Sequence, residues 1–173
     1  KVKAAYPQMS FKYEVEGSEN CNKIKELSLK QMTLQSNING LVKDPNIGND
    51  SIESIVGRML QAYKQDIKTN YIFKEPMKAY AYYALFQTVQ LGNVNTLIFN
   101  PRNNKDDVKV FAAVATSWDT YYPGAERGKN LHNIAIEGMK DIRIIENQMA
   151  QQQIEASKVS VNGCIELALQ DNK

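Results

Sequence analysis

The stretch Met77–Leu91, MKAYAYYALFQTVQL, constrains this chain more than any other. Between Ala79 and Phe86 it carries no charge and no polar group apart from tyrosine hydroxyls. A helix that is apolar all round is surrounded by other elements, not by water. Crossing a bilayer takes about 20 mostly apolar residues, and this run is shorter. The stretch therefore predicts the central helix of a helical domain, and no other stretch reads as a membrane span.

At 173 residues the chain fits one domain. Its 43% hydrophobic and 23% charged residues are ordinary for a globular protein. The 21 basic and 19 acidic residues nearly cancel, leaving a net charge of +2. That balance gives no electrostatic footprint for nucleic acid or an anionic membrane. Basic residues are also scattered, with Lys23, Lys25 and Lys30 in one segment and Lys64 and Lys68 in another. No nucleic-acid partner is expected.

The first residue is Lys1. A chain that opens without Met reads as one that has lost a signal peptide, or as one cut at an arbitrary boundary. Cys21 and Cys164 lie far apart and form no C-x-x-C motif, and the single His132 does not complete a zinc site with them. An even cysteine count favours an extracytoplasmic protein, periplasmic or secreted, with one disulfide joining the first helix to the C-terminal segment. The alternative is two separate thiols in a cytosolic protein.

Residues 1–17 read as an arm or a strand, since Phe11, Tyr13 and Val15 alternate with Lys12, Glu14 and Glu16. Residues 18–171 read as the helical core. A first helix reads from about Ser18, which suits an N-cap, to Ile38; Ile24, Leu27, Leu34, Ile38 and Leu41 are spaced as one stripe, and Asn39-Gly40 supplies a stop. Lys43–Asn49 is a breaker cluster. Its acidic and amide residues are in the wrong order for a calcium loop. A second helix, capped by Ser51, follows Ile52, Ile55, Val56, Met59, Tyr63 and Ile67 and frays near Thr69-Asn70. Glu75-Pro76 starts the central helix, and Gly92-Asn93 ends it.

The run Val94–Phe99 suggests a short strand able to pair with residues 11–15. A fourth helix starts near Asn104 or Asp106 and carries Val108, Phe111, Ala115, Trp118 and Tyr122. A long fifth helix starts at Glu126 or Asn130 and carries the stripe Leu131, Ile134, Ile142, Ile145 and Met149. Gly138 sits on that stripe, where close approach of another backbone is a reason to find it. Gln151-Gln152-Gln153 thins the stripe, so the end projects or is half buried. The tail from Val159 continues this helix or restarts after Asn162-Gly163. The expected fold is therefore a single all-α domain of about five helices with a two-stranded ribbon.

No phosphate-binding, dinucleotide-binding, H-E-x-x-H or G-x-S-x-G motif is present. No cofactor, metal or catalytic residue is assigned. His132 reads as a helix surface residue. Glu53, Asp66, Glu75, Asp119, Glu126 and Glu137 are available to a glycosidase, which needs two carboxylates in a cleft. None is marked out by its neighbours. The aromatic residues are more telling, because tyrosine and tryptophan join an apolar body to a polar tip. Tyr80 and Tyr83 read as core. Trp118, Tyr121 and Tyr122, beside a Pro-Gly break and followed by Arg127, form the first candidate surface for a partner or ligand. The Gln-rich end of the long helix is the second.

In composition the chain resembles small helical proteins of bacterial envelopes, including minor secretion-system subunits, without a motif match. The leading expectation is a non-enzymatic extracytoplasmic protein that binds another protein or docks on an envelope assembly. The alternatives are a lysozyme-like cell-wall glycan hydrolase and a carrier of small apolar ligands.

Overall fold

The computed structural model describes the backbone of residues 2–4 and 13–170, and side chains as far as Lys158 apart from that of Ala4. Its elements run β1 (Val2–Ala4), β2 (Tyr13–Val15), α1 (Glu19–Lys43), α2 (Asn49–Ile67), α3 (Ala79–Leu85), β3 (Thr88–Leu91), β4 (Val94–Leu97), α4 (Lys105–Tyr121) and α5 (Glu126–Gln170). A π-helical turn, Lys68–Ile72, follows α2 directly. The domain is mainly helical, with a long C-terminal helix and two small antiparallel ribbons.

Helix α1 begins where Ser18 accepts a hydrogen bond from the Cys21 amide at 3.3 Å. It buries Leu27, Leu34 and Ile38. It runs straight through the expected stop at Asn39-Gly40. A helical glycine costs only about 1 kcal/mol, and Leu41 one residue later still packs on the core. The helix ends instead at Asp44, whose carboxylate accepts from the Asn46 amide at 2.9 Å across Pro45. Helix α2 starts three residues earlier than expected, after Gly48, so Ser51 lies inside the first turn and is not the cap. The fraying expected near Thr69-Asn70 is the π-helical turn, which places Tyr71 and Ile72 in the core.

The central helix is present but short. Tyr80, Ala81, Ala84 and Leu85 of α3 are all buried, as an all-round apolar helix requires. The expected helix over 77–91 stops at Leu85 because Gln87 is pulled inward. Its side chain is buried, donating to the Leu27 carbonyl at 3.0 Å and accepting from the Tyr63 hydroxyl at 2.8 Å. From there the chain is extended. Gly92 takes a φ of +60, which glycine adopts without strain, and with Asn93 turns the chain into a tight hairpin.

The ribbon pairing therefore differs from the expected union of 11–15 with 94–99. β4 pairs with β3 in the register Thr88↔Leu97, Val89↔Thr96, Gln90↔Asn95, Leu91↔Val94. β2 pairs with β1, Val2 facing Val15. A two-residue connection closes at far less entropic expense than one of some eighty residues. Phe11 and Lys12 lie outside the described residues. α1 seals the outer edge of β3 with amide side chains. Gln31 donates to the Thr88 carbonyl at 2.8 Å, and Gln35 bonds both the Gln90 amide and the Gln90 carbonyl, at 2.7 and 3.0 Å.

Asn104 caps α4, its side-chain Oδ1 accepting from the backbone amides of Asp106 and Asp107. Asp107 is buried and accepts from Lys64 of α2 at 2.5 Å and from the Asn100 amide at 2.8 Å. Helix α5 packs along α4 through Leu131, Ala135 and Ile142. Gly138 abuts the Pro101 backbone, where a Cβ would lie 2.5 Å from the carbonyl oxygen. The close approach expected at Gly138 is thus present. α5 continues unbroken through Asn162-Gly163 to Gln170.

Gly138→Ala should destabilise the fold by about 1–3 kcal/mol despite alanine's better helix propensity. Gly57→Ala in α2, with nothing within 4 Å of its would-be Cβ, should stabilise by up to about 1 kcal/mol. Denaturant unfolding of both variants checks the contrast.

A second expectation concerns acid. Lys30 bonds Asp66 at 2.7 Å across α1 and α2, and that bond, with help from Asn70, holds the Asp66 carboxyl below its ordinary range. The Lys23 hydrogen bond does the same for Glu26. A carboxyl with a lowered folded pKa stabilises the fold above its unfolded value, near 4, and loses that as pH falls through the folded value. Melting temperatures across a pH series should drop below about pH 4, less steeply for Asp66→Asn.

Candidate interaction surfaces

The corner between α4 and α5 gathers most of the aromatic residues singled out in the sequence. Trp118 stacks on Tyr122 with ring centroids 5.2 Å apart and on Tyr82 at 5.4 Å. Tyr82 in turn stacks on Phe86 at 5.0 Å. The Arg127 guanidinium lies 5.6 Å from the Tyr82 ring centre, a cation–π contact. Tyr121 points away, 58% exposed, with no ring partner among the described residues. Tyr122 is 47% exposed.

Trp118 itself is a core residue, 7% exposed, its indole N–H donating to the Pro76 carbonyl at 3.1 Å. Of the four expected residues, the structure leaves Tyr121, Tyr122 and Arg127 on the surface and turns Trp118 inward. Tyr82, which shares the central helix with Tyr80 and Tyr83, also belongs to this corner. It lies two residues from buried Tyr80, on the opposite side of α3, so helical spacing carried the signal.

A shallow groove of about 350 Å3 lies beside the corner, lined by Tyr82, Glu126, Arg127, Lys129, Asn130 and Asn133. A groove of about 510 Å3 runs between α1, α2 and the hairpin, past Ile38, Val42, Ile52, Glu53, Val56 and Leu91. Another of about 530 Å3 lies between α1 and α2 beside Leu34, Met59, Tyr63 and Asp66. Each of these three has one acid side chain in its wall, so none brings two carboxylates together. Asp119 pairs with His132 at 2.5 Å, Glu137 with Lys140 at 2.8 Å, and Glu75 accepts from the Tyr80 hydroxyl. His132 is accordingly a surface residue held by its neighbour on α4.

The second expected surface, the Gln-rich end of α5, is more open. Lys105, at the start of α4, reaches Glu146 at 3.5 Å. Past that point every residue with a described side chain, Asn147 to Lys158, is exposed. With Ile144 and Ile145 just before it, this half of α5 presents Met149 and Ile154, at 55%, 36%, 61% and 55% exposure respectively. The helix backbone from Asn147 to Gln170 is about 36 Å long at the α-helical rise. Cys21 is exposed at the start of α1. The side chain of Cys164 lies outside the described residues, and with it the expected bridge.

No helix among the described residues is long and apolar enough to cross a membrane. Comparison with protein-family models, curated proteins and solved structures finds no match.

Trp118→Ala should cost about 3–5 kcal/mol, because it empties a packed site and orphans the Pro76 carbonyl. Tyr121→Ala should stay within about 0.5 kcal/mol of the parent. Denaturant unfolding followed by far-UV circular dichroism reads both.

Proposed function

We propose that this chain is a non-enzymatic interaction protein that engages a partner protein through the free half of α5. One observation carries the proposal: an apolar-bearing helix that leaves its own domain and keeps Ile144, Ile145, Met149 and Ile154 in water. Isolated helices are marginal in water and take most of their stability from a packed face. A helix presented in this way suits recognition in a partner's apolar groove. Charges between Asn147 and Gln170 are few and mixed, Glu155 and Glu166 against Lys158, so burial of apolar surface and not charge steering would drive the contact. The exposed rings of Tyr121 and Tyr122, at the opposite end of the α4–α5 pair, offer a second contact. An envelope or secretion assembly outside the cytoplasm is the setting this proposal favours, on the pair of cysteines and the Gln-rich helix.

A photoactivatable cross-linking residue at Met149 should give a discrete adduct in the source cells, and the same residue at exposed Arg58 of α2 should not. Adding Ile145→Asp should abolish the adduct without changing the melting temperature. No adduct from position 149, or one indifferent to Ile145→Asp, would overturn the proposal. Thiol alkylation of freshly prepared protein tests the compartment: Cys21 and Cys164 both labelling before reductant is added would remove its main support.

A further inference from the structure

The two edges of the β3–β4 hairpin are treated differently, and the difference points to a partner. Ile98 donates to the Gln87 carbonyl at 2.9 Å, which sets the alternation of the ladder. Val89 and Thr96, and Leu91 and Val94, then face each other as hydrogen-bonded pairs. The backbone groups of Thr88 and Gln90 consequently point outward from β3, where Gln31 and Gln35 meet them. By the same alternation the N–H and C=O of Asn95 and Leu97 point outward from β4. No group among the described residues bonds them.

Open edges are commonly blunted by lysine, proline or a bulge. Val94-Asn95-Thr96-Leu97 has none of these and no charge, and Val94 stands 62% exposed beside the edge.

We propose that β4 pairs with β4 of a second copy of this chain, joining two hairpins into one four-stranded antiparallel sheet. The edge is self-complementary about Thr96. A two-fold axis through that residue sets Asn95 opposite Leu97 of the other copy, and each such pair exchanges both backbone bonds, roughly four in all. Thr96 faces Thr96 across the axis, a favourable cross-strand pair. Because the strand is uncharged, bringing two copies together opposes no like charges. An extended segment of a foreign protein would use the same donors and acceptors, but the symmetric solution satisfies every outward group of a strand this short with nothing left over. This pairing is independent of the role given to α5.

Sedimentation equilibrium of the full chain should show a reversible dimer. Asn95→Pro removes an outward N–H from each copy and leaves the hairpin's own bonds intact, so the dissociation constant should rise at least about tenfold. Met149→Glu on α5 should leave it unchanged. A second measurement does not depend on tolerance of proline. With Cys21→Ser and Cys164→Ser in place, Thr96→Cys should oxidise to a covalent dimer, because facing non-hydrogen-bonded residues approach to about 4.5 Å between Cα atoms. Asn95→Cys should oxidise poorly. A parent chain that stays monomeric up to its solubility limit would overturn the proposal. So would a dimer that survives Asn95→Pro and is lost with Met149→Glu, or equal oxidation at positions 95 and 96.

Discussion

The buried amide of Gln87 holds the fold together at the point where its character changes. It joins the Leu27 carbonyl of α1 to the Tyr63 hydroxyl of α2, just after α3 ends and just before β3 begins. The Tyr63 hydroxyl donates to Gln87, and burial pushes its pKa well above the ordinary value. A buried amide without partners would lose several kcal/mol of solvation, so the chain at Gln87 is committed to one position. That commitment turns the sequence away from the helix and lays β3 along α1, within reach of Gln31 and Gln35. Asp107 does similar work on the other side of the core, tying Lys64 of α2 to the loop before α4.

The legible parts were those governed by local chemistry. Ser18 and Asn104 cap their helices as side-chain acceptors should, the apolar run at 79–86 is central, and Gly138 meets another backbone. Contacts between distant residues were not legible. Thr88–Leu91 continues an apolar helical pattern without a break, and its strand conformation comes from Gln87 and from glutamines some 55 residues earlier. Gly40 carries a stop signal that the packing of Leu41 overrides. Residues 94–97 read correctly as a strand, but their partner was hidden inside the presumed helix.

The interaction surfaces divide the same way. The aromatic cluster at the end of α4 was visible as composition, and helical spacing brought Trp118 and Tyr122 onto one side. Which of them faces water is decided by Pro76 and Tyr82, both from a different segment. On α5 the stripe Leu131 to Met149 was readable in full, although its first half is buried and its second half exposed. The cause lies outside α5: α4 is 17 residues long and α5 is 45, so the support ends first.

The notch at Gly138 has a mechanical meaning. Sliding α5 by one turn would bring Ile134 or Ile142 against the Pro101 carbonyl, where even a Cβ does not fit. The helix is therefore indexed lengthwise against the body, as a bolt is by a detent, and the reach of its C-terminal half is set to within one turn. A pull along α5 would therefore pass to the body through the Gly138–Pro101 contact and not be lost in a slide of one helix past the other.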